Sequence, residues 1–385
     1  MPLRAVLSSL SERTLAHRRL PDLLEERLGP RATFLLSSGR AALAVLLQAM
    51  QQHSQRREVV VPAYTCFSVP SAVVRAGLTI RLCDVDPDTL DFDREALGRI
   101  DLASVLAIVP SGLYGLPSDL TALEAVARAS GIFLVDDAAQ CLGATQDARP
   151  CGTFGDAGFF SLGRGKGITT MGGGILVTHR DDLARSLAPI VGRLRRSSAL
   201  EAFTAVGSSL LYSGLLKPSR YWLVDRVPFL GLGGSEFEPE FVMAQLSAYQ
   251  RRLAEQVLPD LDAHNKLRRD HADHLRSGLE GVDGITIPRP VVGASPVYLR
   301  FPVLARDTAQ RSSLLRRLRE SGIGASASYP TAIGEIPGIA RHLAPGQEPC
   351  PVASSIATRM LTLPTHAWVT ARDMEQMVTL VREAR

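Results

Sequence analysis

Short apolar runs alternate with helical patterns through the first half of this chain, and that alternation limits the fold more than any other feature. EVVVPAY, TIRLCDVD, VLAIVPSG, GIFLVDDAA, AGFFSL and GGILVTH read as strands, while SVPSAVVRAG and DLTALEAVARASG carry the spacing of helices. A strand that is apolar at successive positions must be covered on both faces. The pattern therefore implies an α/β layered domain, a mostly parallel sheet flanked by helices.

The pattern changes near residue 250. MAQLSAYQRRLAEQVLPDLDAHNKLRRDHADHLRSGL reads as one long helix, broken near Pro259. The strand VYLRFPVL and the helices TAQRSSLLRRLRESG and ARDMEQMVTLVREA follow. The chain of 385 residues thus divides into a large α/β domain, residues 1–250, and a smaller C-terminal α+β domain, residues 251–385.

Charge and cysteine content exclude several functions. The net charge is only +4, and arginines spread along helices such as RRLAEQVL and LLRRLRES read as solvated faces, so no nucleic-acid partner is expected. Five cysteines without a C-x-x-C pair indicate reduced thiols and a cytoplasmic protein, with no metal site. His271 and His274 lie in the strongly polar KLRRDHADHLRSGL and read as surface residues. The N-terminus has no signal-peptide core, and no apolar run is long enough to span a bilayer. The apolar stretch 198–234 is interrupted by Glu201, Lys217, Arg220 and Arg226. It reads as core or subunit-interface packing, an apolar wall for a substrate, or a weak contact with a membrane surface.

Three segments at expected strand ends could carry chemistry, since ligands of open α/β sheets bind there. In LLSSGRAALAVLLQAM, the helix start after Ser37, Ser38 and Gly39 suits a phosphate, although Ser38 serves equally as an N-cap; Arg40 could pair with an anion. In FLVDDAAQ, Asp136 and Asp137 follow a buried strand and could cap a helix, hold a metal or bond a protonated ring nitrogen. In FFSLGRGKGITTMGGG, Lys166 is either a surface residue or, if held deprotonated, a Schiff-base former; Ser161 could donate to a phosphate. A phosphate cradle, a carboxylate for a ring nitrogen and an amine for an aldehyde together match pyridoxal 5′-phosphate (PLP).

The ordered series of motifs resembles the DegT/DnrJ/StrS family of sugar aminotransferases over almost the whole chain. LSSGRAAL is similar to the family's S-G-T-A-A-L turn. VVVPAYTCFSVPSAVVRAGLTIRLCDVDPDTLDFD, YGLPSDLTAL, LVDDAAQCLGA, the lysine segment and CPVASSIATRMLTLPTH resemble the motifs that follow. The resemblance implies the fold type I architecture of PLP-dependent transferases and a homodimer. It implies that Lys166 forms the Schiff base with PLP and serves as the proton-transfer base. Asp137 would bond the pyridine nitrogen, Gln140 would lie near the phenolic oxygen, and Ser161 with the backbone from Gly39 through Arg40 to Ala41 would hold the phosphate. The reaction implied moves the amine of an amino acid, commonly glutamate, to a keto group on a nucleotide-linked sugar or related intermediate.

The chain also departs from the family pattern. Cys66 stands where a ring-stacking aromatic is common, leaving Tyr64 or Phe67 for that role. Gly112 replaces a histidine, and Thr169-Thr170-Met171-Gly172-Gly173-Gly174 lacks a glutamate. The N-Y-R-M motif, whose asparagine reaches the neighbouring subunit's phosphate, is not found; Ser235 falls nearest its asparagine and Phe237 nearest its arginine. Tyr329, His366 and Ser235 are the candidates for binding substrate. These departures keep open a non-sugar substrate, an elimination or decarboxylation, and a PLP-binding regulator without turnover.

Overall fold

The computed structural model describes residues 2–10, 19–215 and 236–383. A seven-stranded sheet runs in the order β1-β9-β8-β5-β4-β2-β3. Its strands are β1 (Ala32–Leu36), β2 (Glu58–Pro62), β3 (Thr79–Cys83), β4 (Val105–Ile108), β5 (Phe133–Asp137), β8 (Ala157–Ser161) and β9 (Gly174–Thr178). The pairs from β8 to β3 are parallel, and β9 alone runs against its neighbours β8 and β1. Short strands β6 (Thr145–Gln146) and β7 (Arg149–Pro150) form a hairpin beside the main sheet.

Both faces are covered, as continuous apolar strands demand. Val59 and Val61 of β2 join a core that includes most of helix α3 (Gly39–Met50), whereas Val60 joins Leu123 and Ala127 of α6 (Leu120–Ser130) on the other side. The remaining helices of this half are α1 (Leu3–Ser8), α2 (Leu20–Leu28), α4 (Ser68–Arg75), α5 (Arg94–Arg99), α7 (Asp181–Arg193) and α8 (Ala199–Leu215).

After residue 247 the expected long helix is two. Ser247 Oγ caps α9 (Ala248–Val257) by accepting the Gln250 N–H, and a 3-10 turn containing Pro259 leads into α10 (Leu261–Leu279). The helix starts later than the apolar spacing indicates because Ala244 and Gln245 extend the sheet edge, bridging Arg195 and Leu36. A second sheet of β10 (Ile285–Thr286), β12 (Arg300–Ala305) and β13 (Met360–Pro364) is antiparallel, and α11 (Thr308–Glu320), α12 (Pro351–Arg359) and α13 (Ala371–Arg382) accompany it. β11 (Ala294–Ser295) pairs with β6, tying the C-terminal segment to the first half.

The surface assignment of His271 is corrected. It is buried on the inner side of α10, with Nδ1 3.0 Å from the Thr365 carbonyl. His274, three positions on, is partly exposed and 3.3 Å from Glu375. Local polarity could not separate the two, because the helix turns one of them inward.

Candidate active site

The carboxyl ends of β5 and β8 and the start of α3 come together around one cavity. It encloses about 500 Å³, open space at its mouth included, and is lined by Gly39, Arg40, Asp137, Gln140, Ser161 and Lys166 among others. Three segments far apart in sequence thus meet where an open α/β sheet binds ligands.

The two aspartates have different jobs. Asp136 Oδ2 accepts the Gly152 N–H at 2.5 Å and the Phe154 N–H at 3.4 Å, which fixes the loop after β7. Burial pushes its carboxyl up to about 7 against those hydrogen bonds. Asp137 faces the cavity. Its Oδ2 accepts the Ser111 hydroxyl at 3.2 Å and its Oδ1 the Ala139 N–H at 3.0 Å. Burial raises it to about 6, opposed by the Ala139 N–H, by the Lys166 charge and by Ser111. Ser111 was not anticipated from the sequence, where nothing marks it as a partner of a residue 26 positions away.

At the other pole, Ser38 is the N-cap: its Oγ accepts the Ala41 N–H at 3.1 Å. Ala41 is fully buried and its N–H is engaged there, so the backbone on the cavity wall is that of Gly39 and Arg40. A Cβ at Gly39 would sit 3.0 Å from Ser161 Cβ, tighter than side chains ordinarily pack, so glycine eases the close approach of α3 to the end of β8. The Arg40 side chain pairs with Glu238 at 2.8 Å and lies over the Phe241 ring at 4.6 Å.

Gln140 links the cavity to an aromatic cluster. Its Oε1 accepts the Tyr114 N–H at 3.1 Å and its Nε2 donates to Tyr329 Oη at 3.0 Å. Tyr64 and Phe67 belong to that cluster and are not on the cavity wall. Tyr64 is fully buried, 2.9 Å from the Tyr114 hydroxyl, with its ring edge-on to Tyr329; Phe67 stacks on Tyr329 at 6.4 Å. The wall at this point is Thr65 and Cys66. Thr65 is fully buried and its Oγ1 has no hydrogen-bond partner. An orphaned hydroxyl in a cavity marks a place for a polar ligand.

His366 is not on the cavity wall. The protein around it, then Arg300 and Arg268, lower its imidazole to about 4. Ser235 lies outside the described residues, and Phe237 packs against His342 at 5.8 Å. Gly112 has a physical reason for its lost side chain: a Cβ there would lie 2.3 Å from Cys141 Sγ. Met171 holds a left-handed backbone, φ 65°, just past the lysine loop.

The cavity residues suit PLP. The set offers one amine, one buried carboxylate, the Ser161 hydroxyl at a strand end beside the start of α3 and an unsatisfied Thr65 hydroxyl, on a wall where glycine leaves room.

The family model for the DegT/DnrJ/EryC1/StrS aminotransferases matches residues 16–382. UDP-N-acetyl-3-dehydro-alpha-D-glucosamine 3-aminotransferase of Acidithiobacillus ferrooxidans is 27% identical over 351 residues, 90% of this chain and 82% of the relative. GDP-perosamine synthase of Caulobacter vibrioides is 26% identical over 91% of this chain and 85% of its own length. The crystal structure of S. venezuelae DesV in complex with a ketimine intermediate superposes with a TM-score of 0.75 at 25% identity, covering 99% of this chain and 93% of DesV. Helicobacter pylori PseC shares the fold with a TM-score of 0.78 at 18% identity, over 99% of this chain and 95% of PseC. With the match running almost from end to end, this chain belongs to the DegT/DnrJ/EryC1/StrS aminotransferase family.

Proposed function

We propose that this aminotransferase uses PLP to move an amino group from an amino acid, glutamate in the first instance, to a keto group of a nucleotide-linked sugar. The observation that carries this reading is the meeting of Lys166, Asp137 and Ser161 on one cavity wall. Relatives named for aminating UDP- and dTDP-linked sugars support the acceptor class.

When bound, the cofactor supplies an electron sink for the carbon that loses its proton. The chain's own residues supply the rest. Asp137 is a buried carboxylate with two neutral donors, so a cationic ring N–H would offset its desolvation. Ser161 and the backbone of Gly39 and Arg40 would hold the phosphate beside the positive end of α3. Lys166 would attach the cofactor and then carry the proton between donor carbon and cofactor. Gln140 and Tyr329 would orient groups at the far side through their mutual hydrogen bond.

A homodimer is part of this reading. So is a cytoplasmic location, which the free cysteines support. Purified protein loaded with PLP should show the absorbance band of the lysine-bound cofactor, and Lys166→Ala should lack it. Glutamate should convert the band to that of the aminated cofactor. An unchanged band in Lys166→Ala overturns the lysine assignment, and a band that no amino acid alters overturns transamination.

A further inference from the structure

Helix α8 is amphipathic the wrong way round. Ala205 and Val206 face the protein, and Ser209 is buried with its hydroxyl donating to the Ala205 carbonyl at 2.7 Å. The outward stripe holds Leu200, 72% exposed, and Phe203, 74% exposed, with Gly207, Leu210 and Leu211 continuing it at helical spacing. Helix α1 packs against α8 and repeats the arrangement: Ala5 and Val6 are buried, while Leu3, Leu7 and, just past its end, Leu10 are exposed. Two neighbouring helices therefore both expose large apolar side chains, none of them on the cavity wall. Patches of this kind mark an interaction site.

Charge indicates the occupant. Arg4 is exposed between Leu3 and Leu7, and Arg193 and Arg196 are exposed where the chain enters α8. The one acidic side chain on α8, Glu201, is paired with Arg195. The apolar face thus has a cationic rim, the complement of an anionic bilayer surface. No helix among the described residues is long and apolar enough to cross a membrane. The chain leaving α8 reads LKPSRYWLVDRVPFLGLGG, with Lys217, Arg220 and Arg226 against one acid, Asp225; it lies outside the described residues and is no part of the proposed surface.

We infer that the α1–α8 face docks this enzyme on the surface of a membrane carrying anionic headgroups, with the leucines and Phe203 entering the interface and the arginines at the headgroups. The sites are separate, so docking leaves the PLP chemistry unchanged.

Flotation of the full PLP-loaded chain with vesicles tests this. Wild type should float with phosphatidylcholine vesicles containing phosphatidylglycerol and much less with phosphatidylcholine alone. Leu7→Glu with Phe203→Glu, and separately Leu200→Glu with Leu210→Glu, should lose flotation while keeping the melting temperature and the glutamate-driven spectral change. Wild type that stays in the aqueous fraction, equal binding to both vesicle types, or variants that float like wild type overturn the inference. If light scattering instead shows that the variants lower the oligomer mass of a wild type that does not float, a second copy covers this face and the membrane assignment fails.

Discussion

Asp136 and Asp137 are adjacent in the chain yet serve opposite sides of it: Asp136 holds the Gly152 and Phe154 amides, and Asp137 takes the Ser111 hydroxyl at the cavity. A strand turns successive side chains to opposite faces, so one carboxylate at the end of β5 must be structural if its neighbour is functional. Exchanging Asp137 for Asn should leave the fold intact and slow the glutamate half-reaction by about 100-fold or more, the usual cost of removing a buried charge placed for the reaction. Stopped-flow absorbance of the loaded protein measures it.

Asp136→Asn should act on stability instead. Folding raises the Asp136 carboxyl from 3.8 to about 7, so between those values the folded chain holds a proton that the unfolded chain has released. Its contribution to stability is fully present below about pH 4 and is lost as pH rises through about 7. Histidines pull the other way, His366 being lowered to about 4, so the effect is read as a difference. The melting temperature of wild type minus that of Asp136→Asn should shrink from pH 5 to pH 8. A constant difference would show that Asp136 does not titrate in that range.

Thr65→Val tests the orphaned hydroxyl. With no protein partner to lose, the cofactor-free variant should melt no lower than wild type. Its affinity for PLP should fall about tenfold, the size of one hydrogen bond to a charged group. Titration of the absorbance band reads the affinity, and calorimetry reads the stability.

Gly112→Ala should destabilise the protein by about 1–3 kcal/mol, because the new Cβ meets Cys141 Sγ at 2.3 Å. Cys141→Ala removes that sulfur and leaves Cys141's Cβ at an ordinary 3.5 Å, so the double variant should be more stable than the sum of the singles. Urea unfolding of the four proteins gives the coupling.

Much of this architecture could be read before the structure. Five of the six continuous apolar runs became the parallel strands and the sixth became β9, and the lysine, aspartate and serine segments ended at one cavity. What could not be read was relational. ATFLL and MLTLP give short, weak signals, so β1 and β13 were missed, and nothing local says that β9 runs backwards. Tyr64, two residues before Cys66, and Phe67, one after it, looked like substitutes for a missing ring, but both rings pack into the Tyr329 cluster. Ser111 and Thr65 are ordinary residues in sequence; only the burial of their surroundings gives them meaning. Residue 250, where the sequence pattern changes, lies inside α9, whose buried face shares a core with α1, α2 and the lysine loop.

The reversed strand has an evolutionary consequence. Ser161 and Gly174 are register partners, so the segment that carries Lys166 leaves the sheet and returns to the same place. Its length and sequence can drift without shifting a single rung of the ladder, and extending a closed loop costs little. Exposed positions beyond the lysine can therefore change while the sheet keeps Ser161 and Asp137 aimed at the cavity, provided Ile168 and Thr170 stay buried.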